Sequence, residues 1–488
     1  MDKEAIAPSE TLRSVVPSPV VLMQTPLSWR LAILCGILAV SVGAYVLQAV
    51  IGVRGQALAG VIVFFGLVAG FSSNLQSVNW RTVGWGFGLQ LMLAILVLKG
   101  RVEVGRQTYS VKGFIEHVGE FFKAFIGFSD RGAEFVFGNL SRPDHLARVY
   151  GADFLFPFAF KALPSILFLS ACFTLLYHFG VVQWIVRLMA YAMGYLMQTS
   201  GAETLSVSAN VFMGQTEAPL IIRPYVPRMT NSELFTLMVS GFAHISGGMM
   251  IVYINYGADP TAVLTTCVMA CPCSLYLSKL YLPERQVPET GGSMSLCSEK
   301  SPYVNALDAV VSGTSDGLKL ALNIAAMLIV FIALVAMFDA LLGTIKPTLL
   351  WCGMTSQSLG FWPDQLSLSQ LFGWLFSPAA FLMGIESADV SQVGSLLGSK
   401  LAINEHFAYL QFKTLEHGHP TFMTERSKIL TAFALTGFAN FASVGIQLGG
   451  IGAMAPQRQP DLARLGGRAL FVGFVATLLN AAIAGVFL

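Results

Sequence analysis

The chain has 488 residues, 55% of them hydrophobic and only 11% charged, whereas about a quarter of an ordinary soluble domain is charged. Its 29 Lys and Arg against 27 Asp and Glu leave a net charge of +2, so no global field points to nucleic acid or another polyanion. These figures exclude a soluble globular domain and indicate an all-α polytopic membrane protein. The seven cysteines lie mostly in apolar runs and suggest no disulfide framework. Cys271 and Cys273 flank Pro272, where packing and a helix kink account for them better than a metal does.

Residues 1–30 carry both signs of charge and several prolines, which predicts a mobile tail and no signal peptide. A hydrocarbon layer about 30 Å thick takes about 20 helical residues. Nine segments qualify, near 31–52, 56–72, 82–99, 154–178, 233–255, 261–281, 317–343, 429–450 and 466–488. The stretches Tyr109 to Phe128 and Val181 to Gln198 are amphipathic and predict interfacial helices. A polar loop over 283–316 separates two halves.

The halves echo one another. SGFAHISGGMM, from Ser240, and TGFANFASVGI, from Thr436, share a G-F-A-polar pattern 196 residues apart. Each follows an apolar segment holding a polar cluster, GQTEAP at 214–219 and INEHFAY at 403–409. Paired interrupted segments in two halves point to the central site of a transporter built from inverted repeats. The segments 203–226 and 388–412 are therefore expected to be re-entrant hairpins, with Gln215, Thr216 and Glu217 at one tip and Asn404 and Glu405 at the other. Irregular backbone at membrane depth is tolerated only where it lines a protein cavity.

Carboxylates inside a membrane are functional by default, so Glu217 and Glu405 are the leading site residues, expected to converge from opposite leaflets on one wet chamber. A ligand rich in hydroxyl and amine donors would compensate them. A break around Gly241 to Gly248 would expose carbonyls near the first tip. Asn210, Met213, His244 and Ile245 could then hold a weakly bound monovalent cation. In the second half Phe438, Asn440 and Ser443 share a helical face that could set a ring, an amide and a hydroxyl beside Glu405, suited to a sugar-like group. The competing reading of Ser443 is a helix-joining hydrogen bond. Lys400 is expected to snorkel or to pair locally.

At these residues the chain resembles the concentrative nucleoside transporter family, through SSNLQSVNWRTVGWGFGLQLMLAILVLKG (72–100), SGAETLSVSANVFMGQTEAPLIIRPYVPRMTNSEL (200–234), FSPAAFLMG (376–384), GSKLAINEHFAY (398–409) and GFANFASVGIQLGGIGAMAPQR (437–458). The resemblance implies a homotrimer in the cell membrane, bacterial inner or plasma, whose protomers pair a scaffold with an elevator-type transport domain. It implies a symporter that imports nucleosides with Na+ or H+ and uses no cofactor. The nucleobase would meet Gln215, Thr216 and Glu217, and the ribose Glu405, Asn440 and Ser443, with Phe438 lining the pocket. Sodium would meet Asn210, Met213, His244 and Ile245.

The corresponding division is a tail (1–30), an extra transmembrane helix (31–55), scaffold helices with an interfacial helix (56–180), a first transport repeat (181–282), a polar loop (283–316), a central scaffold helix and loop (317–363) and a second transport repeat (364–488). Two departures from the family pattern stand out. The second tip reads NEHFAY rather than NEFVAY, placing His406 beside Glu405. His244 stands where relatives carry a small hydroxyl residue, and an imidazole can carry protons near neutral pH. A cation channel and a membrane-embedded enzyme are the alternatives. The paired interruptions argue against the first, and the lack of HExxH, GxSxG or a suitable Asp pair against the second.

Overall fold

The computed structural model describes residues 24–104, 107–142, 145–146, 148, 158–291, 303–353, 366–418 and 422–488. Residues 1–23 of the expected tail and 292–302 of the polar loop lie outside them.

Helices α1 (Leu27–Val46) and α2 (Gln48–Gly70) form the first apolar pair. The expected first span ends six residues early, because the chain turns at Leu47 and again at Gly52, whose φ of 62° suits a residue without a Cβ. Helix α3 (Trp80–Lys99) follows. The departure from an all-helical chain among the described residues is a short antiparallel hairpin, β1 (Arg101–Val104) on β2 (Gln107–Ser110), with Arg101 opposite Ser110. Helix α4 (Val111–Phe137) takes in the first predicted interfacial stretch apart from Tyr109 and Ser110, which end β2. Helices α5 (Phe158–His178) and α6 (Val181–Met197) meet at a 70° bend where Gly180 takes a φ of 80°. The second amphipathic stretch is α6: Val182, Val186, Ala190, Met193 and Met197 are buried along one face, while Trp184, Leu188, Tyr191 and Tyr195 are exposed.

The two polar clusters then differ. The segment expected as the first hairpin begins with helix α7 (Gly201–Ala209) and continues as two 3-10 turns, Ala218–Ile222 and Val226–Arg228, rather than a second helix. Pro219, Pro224 and Pro227 explain the difference: each lacks the N–H that a continuing α-helix needs. The span expected over 233–255 is two helices, α8 (Asn231–Ala243) and α9 (Gly247–Asn255), parted at His244 to Ser246. Helix α10 (Pro260–Tyr281) is almost wholly buried. After it come α11 (Ala306–Gly343) and α12 (Ile345–Trp351).

The second half repeats the order. Helix α13 (Leu368–Leu382) packs against α14 (Val390–Ala402), which breaks at Ile403 and Asn404 before α15 (Glu405–Gly418). The span expected over 429–450 is again two helices, α16 (Glu425–Leu435) and α17 (Phe441–Met454), parted over Thr436 to Asn440. Helix α18 (Gln459–Phe487) closes the chain. Six described helices or joined helices are long and apolar enough to cross a membrane. Over their described residues the nine expected spans are helical, but those over 31–52, 233–255 and 429–450 are interrupted and the one ending at 178 is bent into α6.

Helices α8, α10, α16 and α18 form the buried centre, with α2 lying on α18 and α3 on α10. Close approach is written into the small residues: a Cβ on Gly60 of α2 would stand 1.8 Å from the Leu382 carbonyl oxygen. A buried ionic cluster fastens the start of α7. Lys279 of α10 reaches Glu203 at 2.8 Å and Glu284 at 3.3 Å, and Ser200, which caps α7, donates to Glu233 at 2.6 Å. Removing the single cation leaves carboxylates unpaired in a dry site, which costs about 3–5 kcal/mol. Lys279→Met is accordingly expected to lower the melting temperature of the purified protein far more than Lys279→Arg, and equal melting of the two would exclude this role.

Candidate functional site

The site is built where the two helix breaks cross. At the second break Asn440 caps α17, its Oδ1 accepting the Ser443 N–H at 2.8 Å. That bond fixes the amide so that Nδ2 donates to Glu405 Oε2 at 2.8 Å. The other oxygen, Oε1, accepts from the Tyr253 hydroxyl at 3.0 Å. Glu405 opens α15, and Asn404 supports that start by accepting the Phe407 N–H at 2.7 Å.

The first tip reaches the same place through an amide. Gln215 Nε2 donates to Ser443 Oγ at 3.2 Å, and Gln215 Oε1 accepts from Gln447 Nε2 at 3.1 Å. Gln447 also donates to the Met238 carbonyl. Missing side chains make the approach possible: a Cβ on Gly241 would meet Gln447 Nε2 at 2.5 Å, and one on Gly450 would meet Thr216 Cγ2 at 2.6 Å. A continuous polar chain therefore runs Gln447, Gln215, Ser443, Asn440, Glu405, Tyr253, with members from both halves. Phe438, partly buried, joins the breaks by donating its N–H to the His244 carbonyl at 3.0 Å.

Glu217 is exposed, and its Oε2 accepts the Gly214 N–H at 2.7 Å. Gln215 makes a link between the halves. Exposure leaves the Glu217 carboxylate able to receive ligand donors, whereas Glu405 is already held on both oxygens.

Asn210, buried at the end of α7, donates Nδ2 to Ser240 Oγ at 2.9 Å. Its Oδ1 and the neighbouring Ser206 Oγ are buried without a hydrogen-bond partner. Orphaned buried oxygens beside a helix break fit a weakly held cation. Met213 sits on the same turn, its N–H donated to Ala209 O, and Ile245 is buried in the break. The His244 ring lies beside this cluster, its Nδ1 3.3 Å from the Ser240 Oγ that accepts from Asn210. Its Nδ1 lies 2.8 Å from the Ser240 carbonyl, which only accepts, so Nδ1 carries the proton; Nε2 then accepts from the Cys271 thiol at 3.3 Å. Both ring nitrogens are engaged.

Sequence reasoning missed Tyr253, Gln447 and Cys271. Gln447 was findable, since it lies four residues beyond Ser443 on the same face of an apolar helix. Tyr253 was not, because an aromatic in an apolar helix gives no sign of which hydroxyl partner it will meet. His406, beside Glu405, has Nε2 3.0 Å from the Tyr256 hydroxyl.

Two interrupted helices, each with a polar tip folded against it and sharing one buried polar chain, define a multi-pass membrane carrier. Three family descriptions match the chain in sequence: Na+ dependent nucleoside transporter N-terminus over residues 59–140, Nucleoside recognition over 159–259, and Na+ dependent nucleoside transporter C-terminus over 262–485. An uncharacterized transporter of Haemophilus influenzae is 36% identical over 435 residues, covering 89% of this chain and 97% of that one. Human sodium/nucleoside cotransporter 1 is also 36% identical; the match takes in 88% of this chain and 63% of the human protein. The solved structure of CNTnw in an inward-facing substrate-bound state superposes with a TM-score of 0.79 at 32% identity, over 89% of this chain and 98% of that one. The chain belongs to the concentrative, Na+ dependent nucleoside transporter family, a family of transporters and not of enzymes.

Proposed function

We propose that the protein is a secondary active symporter that brings nucleosides into the cell with sodium. The observation that carries this reading is the polar chain from Gln447 to Tyr253, which mixes amide, hydroxyl and carboxylate groups from both halves in one buried place. Gln215, Thr216 and Glu217 would meet the base, while Glu405, Asn440 and Ser443 would meet ribose hydroxyls and Phe438 would cover the sugar. Occupancy compensates the buried polar groups, so the loaded site can close and cross. Uridine uptake into sealed vesicles tests this: accumulation above the outside concentration under a sodium gradient is expected, and equilibration without accumulation would favour a channel.

Sodium is the proposed ion, held by Asn210 with backbone carbonyls of Met213, His244 and Ile245. The engaged His244 imidazole supports this over proton coupling. With choline replacing sodium, uptake is expected to vanish at every value between about pH 5.5 and 8, whereas stimulation by an imposed pH gradient would reinstate the histidine as a carrier.

Movement is proposed to be elevator-like within a homotrimer, with residues 203–226 and 388–412 as re-entrant hairpins. The packing supports a division different from a scaffold over 56–180. Gln90 of α3 accepts from Tyr276 at 2.7 Å and donates to Asn480 at 2.6 Å, both bonds buried, which ties α3 to α10 and α18. Helix α11 packs instead on α5 and leaves an exposed apolar face, Leu307, Val311, Leu318, Leu322 and Ile329 among it, fit for neighbouring protomers.

A further inference from the structure

Gln447, fully buried in α17, holds the far end of the polar chain. Its Nε2 donates to the Met238 carbonyl at 3.2 Å and to Gln215 Oε1 at 3.1 Å. A carbonyl only accepts, so the Met238 oxygen fixes which end of the amide faces it; the reverse orientation would set oxygen against oxygen. The Oε1 of Gln447 is buried without a hydrogen-bond partner. Packing alone does not call for such a residue, because leucine or methionine would fill the space without leaving a polar atom unsatisfied. Gly241 keeps that space open, since a Cβ there would stand 2.5 Å from Gln447 Nε2.

The direction set at Met238 passes along the chain. Both N–H groups of Gln447 are spent, so Gln215 presents Oε1 to it and turns its own Nε2 the other way, where one N–H goes to Ser443 Oγ at 3.2 Å. A side-chain amide nitrogen carries two hydrogens and a hydroxyl one. The second N–H of Gln215 and the Ser443 hydroxyl proton are therefore left to donate, with no acceptor for either among the described residues. Both donors lie at Ser443, the residue proposed for the ribose, so the part of a base they would meet is the edge beside the sugar. That edge carries acceptors, O2 in a pyrimidine and N3 in a purine.

We infer that Gln447 is a positioning residue for base specificity: anchored on the Met238 carbonyl, it holds Gln215 as a donor toward the sugar-side edge of the base, so the carrier takes purine and pyrimidine nucleosides alike and rejects those lacking that acceptor. The inference rests on the proposed contact of Gln215 with the base. Gln447 acts through Gln215 and does not itself touch the ligand. Its effect comes from the fixed direction. A donor that cannot turn is left buried and unpaired when it faces a C–H, whereas an amide free to turn avoids that penalty.

The test compares adenosine with 3-deazaadenosine, which has C–H in place of N3, as ligands of the purified protein in sodium, by titration calorimetry. The wild type is expected to bind adenosine at least about 10-fold more tightly, and Gln447→Met, close in size but without the donor, to lower that ratio at least about threefold. A smaller wild-type ratio, or a smaller fall in a folded Gln447→Met, overturns the inference alone and leaves nucleoside binding standing. So does uridine binding without adenosine binding. Loss of all nucleoside binding in a folded Gln447→Met also overturns it, by making Gln447 part of the binding surface. Failure of the wild type to bind either uridine or adenosine removes the proposed function, and the inference with it. Should Gln447→Met not fold, Gln447→Leu takes its place under the same thresholds.

Discussion

Glu405→Gln is expected to cut saturable uridine uptake by at least about 100-fold while leaving the amount of protein in the membrane within about twofold of normal. The substitution keeps size and shape, so the loss comes from charge and donor direction. Glu405 now accepts from Tyr253 at 3.0 Å and from Asn440 at 2.8 Å. A glutamine would turn an NH2 group toward one of them. Asn440 cannot reverse to receive it, because its Oδ1 holds the Ser443 N–H at the start of α17. Tyr253 could turn its hydroxyl, but the site would still have exchanged a carboxylate for a weaker acceptor. Hydrogen bonds to charged groups contribute about 1.5–3 kcal/mol each, and a ribose offers two hydroxyls, which together set the size of the effect. Initial uptake rates across a range of uridine concentrations, with surface protein measured in parallel, check it; rates within about threefold of normal would remove Glu405 from the site.

Much of the architecture could be read from apolar run lengths, because hydrocarbon thickness dictates helix length whatever the tertiary partners are. The break at His244 was legible in the glycines and polar residues around it, and the second break in its echo from Thr436. The path after α7 was not, although its prolines were in plain view: an apolar stretch of that length invites a helix, and three missing N–H groups outweigh the composition. The site divides in the same way. Glu405, Asn440, Ser443 and Gln215 stood out because polar groups in apolar runs must be compensated somewhere. That Gln215 bridges the halves follows from the approach allowed by Gly241 and Gly450, which depends on coordinates and not on pattern. Lys400 was misjudged because snorkelling is the usual fate of a lysine near a helix end, and nothing in its own neighbourhood announces that it will be fully buried, its Nζ donating to the Ala434 carbonyl at 2.7 Å.

Asn440 joins a structural and a binding role, and substitutions can separate them. Asp and Ser are both good N-caps, so Asn440→Asp and Asn440→Ser should each keep the bond to the Ser443 N–H; alanine would lose it at a cost of about 1 kcal/mol. The two caps differ toward the ligand. Serine is too short to reach Glu405, so it removes one hydrogen bond to a charged group and is expected to lower uptake about 10- to 100-fold. Aspartate reaches, and sets a second carboxylate where the amide donor stood 2.8 Å from Glu405 Oε2. Its uptake is expected to fall below that of the serine variant, although its melting temperature should stay as close to the wild type. A stable aspartate variant that transports as well as the serine one would show that Asn440 serves α17 alone, and that the polar chain between the two halves is not the path on which a nucleoside is held.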